Sequence, residues 1–311
     1  MVDSNVCVVG AANIDLISYV PRLPELGETL HGTEFRMGYG GKGANQAVMA
    51  AKLGASVSMV TKLGRDTFGE GTLENFRAVG VDTRFVSFTE EASSGVAPIF
   101  VDPAGRNAIV IVTGANDLLT ANEIERARPA MRRAGAVVCQ LEIPLATTLL
   151  ALRAARGEGT PTIVNPAPAR ADLPDELLEL SDVFCPNQGE AALVSGRPVD
   201  TVDDAEAAAH DLLDRGARAV VITLGEDGCL VADREGAEHV EGMAVDAVDS
   251  TGAGDAFVGA LACFLARGDS LRDGASWANR VAALSVMGRG TQTSYPDRDH
   301  LPEDVARWLS R

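Results

Sequence analysis

The sequence predicts an α/β fold: a doubly wound, mostly parallel central sheet flanked by helices, with a small β-sheet beside it. Three observations carry this prediction. From about residue 120, short apolar runs at 137–141, 162–165, 183–185 and 219–224 alternate with helical segments near 145–156, 188–195 and 203–215. Strands that alternate with helices form parallel sheets covered on both faces. Residues 12–40 lack helical period and carry the turn formers Pro21, Pro24, Gly27 and Gly32. Residues 95–112 read as a hairpin around Asp102-Pro103-Ala104-Gly105. Pro98 weakens that hairpin, because proline gives no ladder donor and is expected at a sheet edge.

Element by element, Val6-Cys7-Val8-Val9-Gly10 opens the chain as a buried strand ending in glycine. A helix is expected at 44–53, a strand at 57–61 and a second helix at 68–79. After the alternating region come two long apolar helices near 253–267 and 271–287, then a short C-terminal helix. No repeat or long linker interrupts the chain, so residues 1–311 are expected to form one domain, with a lid from about 12–40 and 95–112.

Composition removes several function classes. With 311 residues and 46% hydrophobic content, the chain can bury a large core. No apolar run reaches the ~18 residues of a membrane span, and Met1-Val2-Asp3 lacks the basic flank of a signal peptide, so a cytoplasmic protein is expected. The five cysteines are scattered and mostly within apolar runs, which fits buried thiols in a reducing compartment. The four histidines have no zinc-ligand spacing. A net charge of −17 argues against nucleic acid and anionic membranes as partners. Lysine occurs only at Lys42, Lys52 and Lys62, and such an acidic, lysine-poor surface suits a high-salt cytoplasm as well as an ordinary acidic protein.

The chemistry concentrates in two motifs. Asp249-Ser250-Thr251-Gly252-Ala253-Gly254-Asp255-Ala256-Phe257 sets small residues and an acid at the start of a helix. Free N–H groups there form an anion site that Gly252 and Gly254 leave open to close approach. A carboxylate in a phosphate site is best explained as a base for an attacking hydroxyl, which assigns that role to Asp255. For this string alone, a capped glycine turn would be the better explanation. The second motif, Gly38-Tyr39-Gly40-Gly41-Lys42-Gly43, matches G-x-G-x-x-G but does not follow the first strand directly, so it is no dinucleotide fingerprint. Nor is it a P-loop, because Gly43 stands where Ser or Thr is required. A glycine run presenting Lys42, Asn45 and Gln46 at a helix start suits sugar hydroxyls or, equally, a tightly packed cap. Asn13, Asp15, Glu142, Asn187 and Gly225 all follow predicted strands, at the edge where doubly wound sheets bind ligands.

Together these residues resemble a known family. Gly40-Gly41-Lys42-Gly43-Ala44-Asn45-Gln46-Ala47 resembles the N-terminal signature of ribokinases, which belong to the PfkB group of carbohydrate kinases, and 249–257 resembles that group's C-terminal signature. Asn13-Ile14-Asp15, Gln140-Leu141-Glu142, Asn165-Pro166-Ala167-Pro168-Ala169-Arg170, Pro186-Asn187 with Glu190, and Thr223-Leu224-Gly225 extend the resemblance over nearly the whole chain.

The resemblance implies a ribokinase-like fold and an ATP-dependent transfer to the 5-hydroxyl of D-ribose. It implies Asp255 as base, with the N–H groups of Gly252, Ala253 and Gly254 as anion hole. Asn13, Asp15, Gly41, Lys42, Asn45 and Glu142 would surround the sugar. Asn187 and Glu190 would serve the phosphates and magnesium, although Asn187 with Glu190 also reads as a plain helix cap. Thr223, Leu224, Gly225, Glu226, Asp227 and Gly228, with Gly254 and Asn279, would follow the nucleotide. A monovalent cation, usually potassium, would sit near Asp249, Thr251, Ser285, Gly288, Gly290 and Ser294. Apolar lid strands would pair two copies as a homodimer. Other acceptors in the same class are deoxyribose, fructose or adenosine. A sensor without chemistry is the rival from another class, and it would not need Asp255. Two departures from the pattern stand out: Pro98 in the lid strand and the less polar Gln188-Gly189 between Asn187 and Glu190.

Overall fold

The computed structural model describes residues 4–309, so the segment Met1-Val2-Asp3 read above lies outside the described residues. The strands are β1 (Asn5–Val9), β2 (Asn13–Tyr19), β3 (Glu34–Gly40), β4 (Ser56–Gly64), β5 (Val86–Thr89), β6 (Gly95–Val101), β7 (Asn107–Ile109), β8 (Ala136–Cys139), β9 (Thr162–Val164), β10 (Val183–Phe184), β11 (Ala219–Thr223), β12 (Cys229–Asp233) and β13 (Gly236–Val240). The helices are α1 (Lys42–Lys52), α2 (Thr67–Ala78), α3 (Ala121–Met131), α4 (Leu145–Gly157), α5 (Asp175–Glu179), α6 (Gln188–Ser195), α7 (Val202–Asp214), α8 (Ala253–Ala266), α9 (Leu271–Ser285) and α10 (Glu303–Leu309).

Nine strands form the large sheet in the order β13-β12-β11-β10-β9-β8-β1-β4-β5. Pairing is parallel from β11 to β5, and β12 and β13 close one edge as an antiparallel hairpin. Alternation within β1 explains the layering. Val6 and Val8 face a core shared with α1, α8 and α9, while Cys7 and Val9 face one shared with α3, α4 and α7. Both faces are apolar because both are covered, so the strands read as continuous hydrophobic runs. Each fully buried side chain of this type contributes about 1.5–3 kcal/mol. Helix starts are set locally: Asp66 accepts from the Gly69 N–H, and Thr120 and Thr201 each form capping boxes. No helix among the described residues is long and apolar enough to cross a membrane.

The second sheet has the order β3-β2-β6-β7, with β2 antiparallel to β3 and parallel to β6. Here the expectation for Pro98 fails: β6 is an interior strand, and Pro98 stands opposite Leu16 on β2. On the other side Pro98 accepts from the Val110 N–H at 3.0 Å but has no N–H to return. The ladder is therefore broken at that pair. It holds at Val101–Asn107 and Ile99–Ile109, then resumes only as the isolated Val96–Val112 bridge. The sheet tolerates proline inside because only one bond of one rung is lost.

The sheet order reverses between β8 and β1, and the carboxyl ends of the strands carry the marked residues there. Asn13 follows β1, Gln140 and Glu142 follow β8, Asn165 follows β9, and Asn187 follows β10. Such a reversal opens a crevice in which doubly wound folds bind ligands.

Candidate active site

Asp255 lies in the first turn of α8 and is buried. Its carboxylate accepts the Asn45 Nδ2–H at Oδ2 (2.9 Å) and the Gln46 Nε2–H at Oδ1 (2.9 Å). Both donors come from the first five residues of α1, so the two motifs read from the sequence meet side by side. Both helices begin without a side-chain cap, on Gly41 (φ 88°) and Gly252 (φ 80°) respectively. Positive φ suits glycine. At the α1 start the Lys42 N–H is taken by Glu142 and the Ala44 N–H by Ala11 O, whereas at the α8 start Gly252 and Gly254 line a cavity. The Ala253 N–H turns back on Ser250 O at 3.2 Å, so this donor must leave Ser250 before it can serve a phosphoryl oxygen.

A cavity of about 160 Å³ is lined by Lys42, Asn187, Glu190, Thr223, Gly252, Gly254 and Asp255, among others. It thus joins residues from the sugar, phosphate and anion-hole groups. Of the other predicted sugar residues, Asn13, Asp15, Gly41, Asn45 and Glu142 do not line it, but Glu142 is tied to Lys42, its Oε2 accepting the Lys42 backbone N–H at 2.8 Å. Asn13 Oδ1 accepts the Asn116 Nδ2–H at 2.8 Å, while Asn116 Oδ1 takes the Ala12 N–H at 3.0 Å.

The charges are strongly coupled. Burial, then the Glu142 and Asp255 carboxylates, push the Asp15 carboxyl up to about 7. Burial raises Glu142 as well, although the Lys42 ammonium and its N–H oppose it. Glu190 is raised by burial against the Asn187 N–H and Lys42. Burial alone would lower Lys42, but Asp255, Glu142 and Glu190 outweigh it and hold the ammonium above its ordinary value. One half-buried cation thus faces three carboxylates.

On the phosphate side, Asn187 caps α6: its Oδ1 accepts the Glu190 N–H at 2.8 Å, and Glu190 Oε2 accepts the Asn187 N–H at 2.9 Å. The capping explanation holds, and the same two residues also line the cavity. An isolated bridge pairs Asn187 with Thr223, which brings the α6 cap to the end of β11. Gly225–Asp227 form a 3-10 turn, and the Leu224 N–H donates to Gly228 O at 2.8 Å. Glu226, Asp227 and Asn279 do not line the cavity; the Asn279 amide donates to Glu241 O at 2.9 Å.

Asp249 ties two loops together, accepting the Thr251 N–H at 3.0 Å and the Gly290 N–H at 2.9 Å. Partial burial works against it, but these bonds and Arg289 hold its carboxyl below the ordinary value. The Ser294 hydroxyl donates to Gly290 O and Thr291 O, and the Ser285 hydroxyl to Ala282 O within α9. The Gly288 loop turns against the Ser294 side chain. The segment 290–295 then reaches inward, with Thr291 Oγ1 donating to Tyr39 O at 3.1 Å and Tyr295 OH to Gly252 O at 3.0 Å.

Three polar contributors, Gln292, Asn75 and Asn116, escaped the sequence reading, and a fourth, Gln140, was noted there without a role. Gln292 donates to Asn45 Oδ1 at 3.0 Å, Asn75 donates to Gln292 at 2.8 Å, Gln140 donates to Gln46 Oε1 at 2.5 Å, and Asn116 holds Asn13. Their signal was faint: polar residues inside apolar or turn-rich stretches, far from either motif in sequence.

Known proteins resemble the chain over almost its whole length. The model of the pfkB family carbohydrate kinases matches residues 3–298. The chain is 46% identical to a mouse (Mus musculus) ribokinase over 96% of this chain and 93% of that protein. It is 40% identical to a deoxyribokinase of Salmonella typhi over 96% and 98% of the two chains. The structure of Arabidopsis thaliana ribokinase complexed with ribose and ATP superposes with a TM-score of 0.90, at 30% identity, covering 99% of each chain. A family match over nearly all its length, with relatives of this identity, means that the chain belongs to the pfkB family of carbohydrate kinases.

Proposed function

We infer that this chain transfers the γ-phosphoryl group of ATP to the 5-hydroxyl of D-ribose, giving ribose 5-phosphate and ADP. One observation carries the inference: a buried carboxylate, Asp255, stands at an open helix N-terminus beside Gly252 and Gly254. The similarity to ribokinases supports the choice of sugar and of ATP.

In this reading the Asp255 carboxylate takes the proton of the ribose 5-hydroxyl as O5 forms its bond to the γ-phosphorus. The bond from that phosphorus to the bridging oxygen breaks, and ADP leaves with the electron pair. The N–H groups of Gly252, Ala253 and Gly254 stabilise the transferring group, each such donor being worth about 2.7–4 kcal/mol in well-studied sites. Asn13, Asp15, Gly41, Asn45 and Glu142 hold sugar hydroxyls, and Lys42 adds positive charge between sugar and phosphates. Asn187 and Glu190 serve the phosphate side, and residues 223–228 with Asn279 border the nucleoside. The second sheet closes over the sugar and excludes water, which would otherwise accept the phosphoryl group.

Two cations fit the residues present. The raised, buried carboxyl of Glu190 and the amide of Asn187 are hard oxygen donors beside the cavity, suited to magnesium held largely through water and phosphate. When bound, magnesium neutralises charge on the β- and γ-phosphates. The ionised Asp249, Thr251, Ser294 and the carbonyls near Ser285, Gly288 and Gly290 suit a monovalent cation, most simply potassium. Such an ion would steady the 249–252 loop. Phe35, Met37 and Ile109 are exposed on the second sheet, which supports a homodimer through that sheet. A cytoplasmic setting agrees with five free, buried cysteines.

The test is sugar-dependent ADP release over ribose, 2-deoxyribose, fructose and adenosine, with and without potassium. Ribose is expected to give the highest kcat/KM, and Asp255→Ala to abolish transfer while ribose binding persists. Better turnover of 2-deoxyribose, the reading favoured by the deoxyribokinase relatives, would overturn the choice of sugar. Full activity in Asp255→Ala would remove the base.

A further inference from the structure

We propose that Gln46 is a positioning residue for Asp255, held in a single orientation by Gln140 and Asn165 so that the base meets only a donor. The proposal rests on the reading of Asp255 as base.

A glutamine amide has a donor end and an acceptor end, and nothing in its shape decides which end faces a neighbour. Here both ends of Gln46 are spoken for. Its Nε2 donates to Asp255 Oδ1 (2.9 Å) and to Asn165 Oδ1 (3.1 Å). Its Oε1 accepts the Gln140 Nε2–H at 2.5 Å. Asn165 cannot turn round, because its own Nδ2 donates to the Cys185 carbonyl at 3.0 Å. A flipped Gln46 would set its oxygen against two oxygens and its NH₂ against another NH₂.

The cost of the arrangement shows at Gln140. Gln46 and Gln140 are both 0% exposed. Among the described residues Gln140 Oε1 has no hydrogen-bond partner. A buried orphan acceptor calls for an explanation, and one follows directly: Gln140 is turned so that its donor end meets Gln46. The Asn45 side mirrors this design. Gln292 donates to Asn45 Oδ1, Asn75 orients Gln292, and Asn45 thereby keeps its NH₂ on Asp255 Oδ2. Neither Gln46 nor Gln140 lines the cavity, so their effect on substrates passes through the base.

A donor on the carboxylate favours its ionised form and fixes its rotamer. Other charged and titratable groups that face Asp255 are Asp15 on β2, Lys42 on α1, Glu142 after β8, Glu190 on α6 and Tyr295 in the C-terminal segment. Saturating ribose and ATP hold their surroundings constant, so the pH profile of kcat isolates the effect of the amide.

The experiment compares wild type, Gln46→Met, Gln140→Met and the double variant, with thermal melts as a control for folding. Gln46→Met should move the acid limb of kcat upward by about one pH unit, so that kcat falls about tenfold at pH values well below the limb and little above it, with KM for ribose within about twofold. Gln140→Met should shift the limb the same way but less. The double variant should match Gln46→Met alone, because the two act as one unit. A folded Gln46→Met protein with an unmoved acid limb, or losses that simply add, would overturn the proposal. Should Gln46→Met fail to fold, the acid limb of Gln140→Met decides alone. Asp255→Asn keeps the two readings apart: retained transfer there would remove the base, whereas an inactive Asp255→Asn with an unmoved Gln46→Met limb would remove only the positioning role.

Discussion

Gly259 lies against the backbone carbonyl of Gln46 so closely that a Cβ on it would stand 2.5 Å from that oxygen and 2.9 Å from Met49 Cβ. This contact sets how near α8 comes to α1, and Asp255 sits one turn earlier on the same helix. Gly259→Ala should therefore push the helices apart and lengthen the bonds from Asn45 and Gln46. Overpacking of this kind costs about 1–3 kcal/mol. The displacement of the base should lower kcat about ten- to a hundredfold, more than it raises KM. Steady-state kinetics beside a denaturation curve would check this, and an unchanged kcat would mean that the spacing is not critical.

Ribose binding should release a proton near neutral pH. Asp15 carries a carboxyl pushed up to about 7, and sugar hydroxyls donating to it favour its ionised form. Calorimetry in buffers of different ionisation enthalpy should detect the released proton, and Asp15→Asn should abolish it. The same shift has a consequence for stability. With the folded value raised from 3.8 to about 7, the folded state holds the extra proton across that interval. Its contribution is therefore present at low pH and lost as pH rises towards 7. In Asp15→Asn, melting temperatures without ligand should fall less over that range.

Glu123 behaves in the opposite sense. Burial would raise its carboxyl, but Lys62 at 2.7 Å and the two Thr120 donors bring it down to about 2. Its stabilisation is present above the ordinary value of 4.5 and disappears as pH falls towards 2. Glu123→Gln should cost about 2–3 kcal/mol at pH 7 and almost nothing near pH 2. Urea titrations at the two pH values would measure the difference.

Pro98→Val should supply the missing rung to Val110. The new bond is worth about 0.5–1.5 kcal/mol, while loss of the proline constraint costs about 0.4–1 kcal/mol. Net stability should thus stay within about 1 kcal/mol of the parent, and the informative signal is hydrogen exchange. The amide at position 98 should be protected, and an unprotected one would mean that the strands diverge there for another reason.

A net charge of −17 should make stability depend on salt. The melting temperature should rise between low and molar salt, and equal values at both would discount self-repulsion as a significant term.

Much of this molecule could be read from its residues. Continuous apolar runs such as Val6-Cys7-Val8-Val9 betrayed strands buried on both faces, and the reversal of order then brought Asn13, Glu142 and Asn187 to one edge. Pro98 misled because a local rule about proline carries no information on which strand lies next to it. Helix α3 was missed, although Thr120 and Glu123 form a capping box. At the site, the residues within the two motifs were legible and the amides behind them were not. Gln140 and Gln292 acquire meaning only through what they touch, Gln46 and Asn45, each far away along the chain.

The segment that carries Thr291, Gln292 and Tyr295 comes near the end of the sequence, yet it holds Tyr39, Asn45 and Gly252. During synthesis these three wait, already translated, for their last partner to leave the ribosome. A product cut short before residue 291 would retain the base and the glycines but not the brace that joins them. The order of synthesis thus leaves the two glycine-led helix starts unbraced until residues 291–295 have been made.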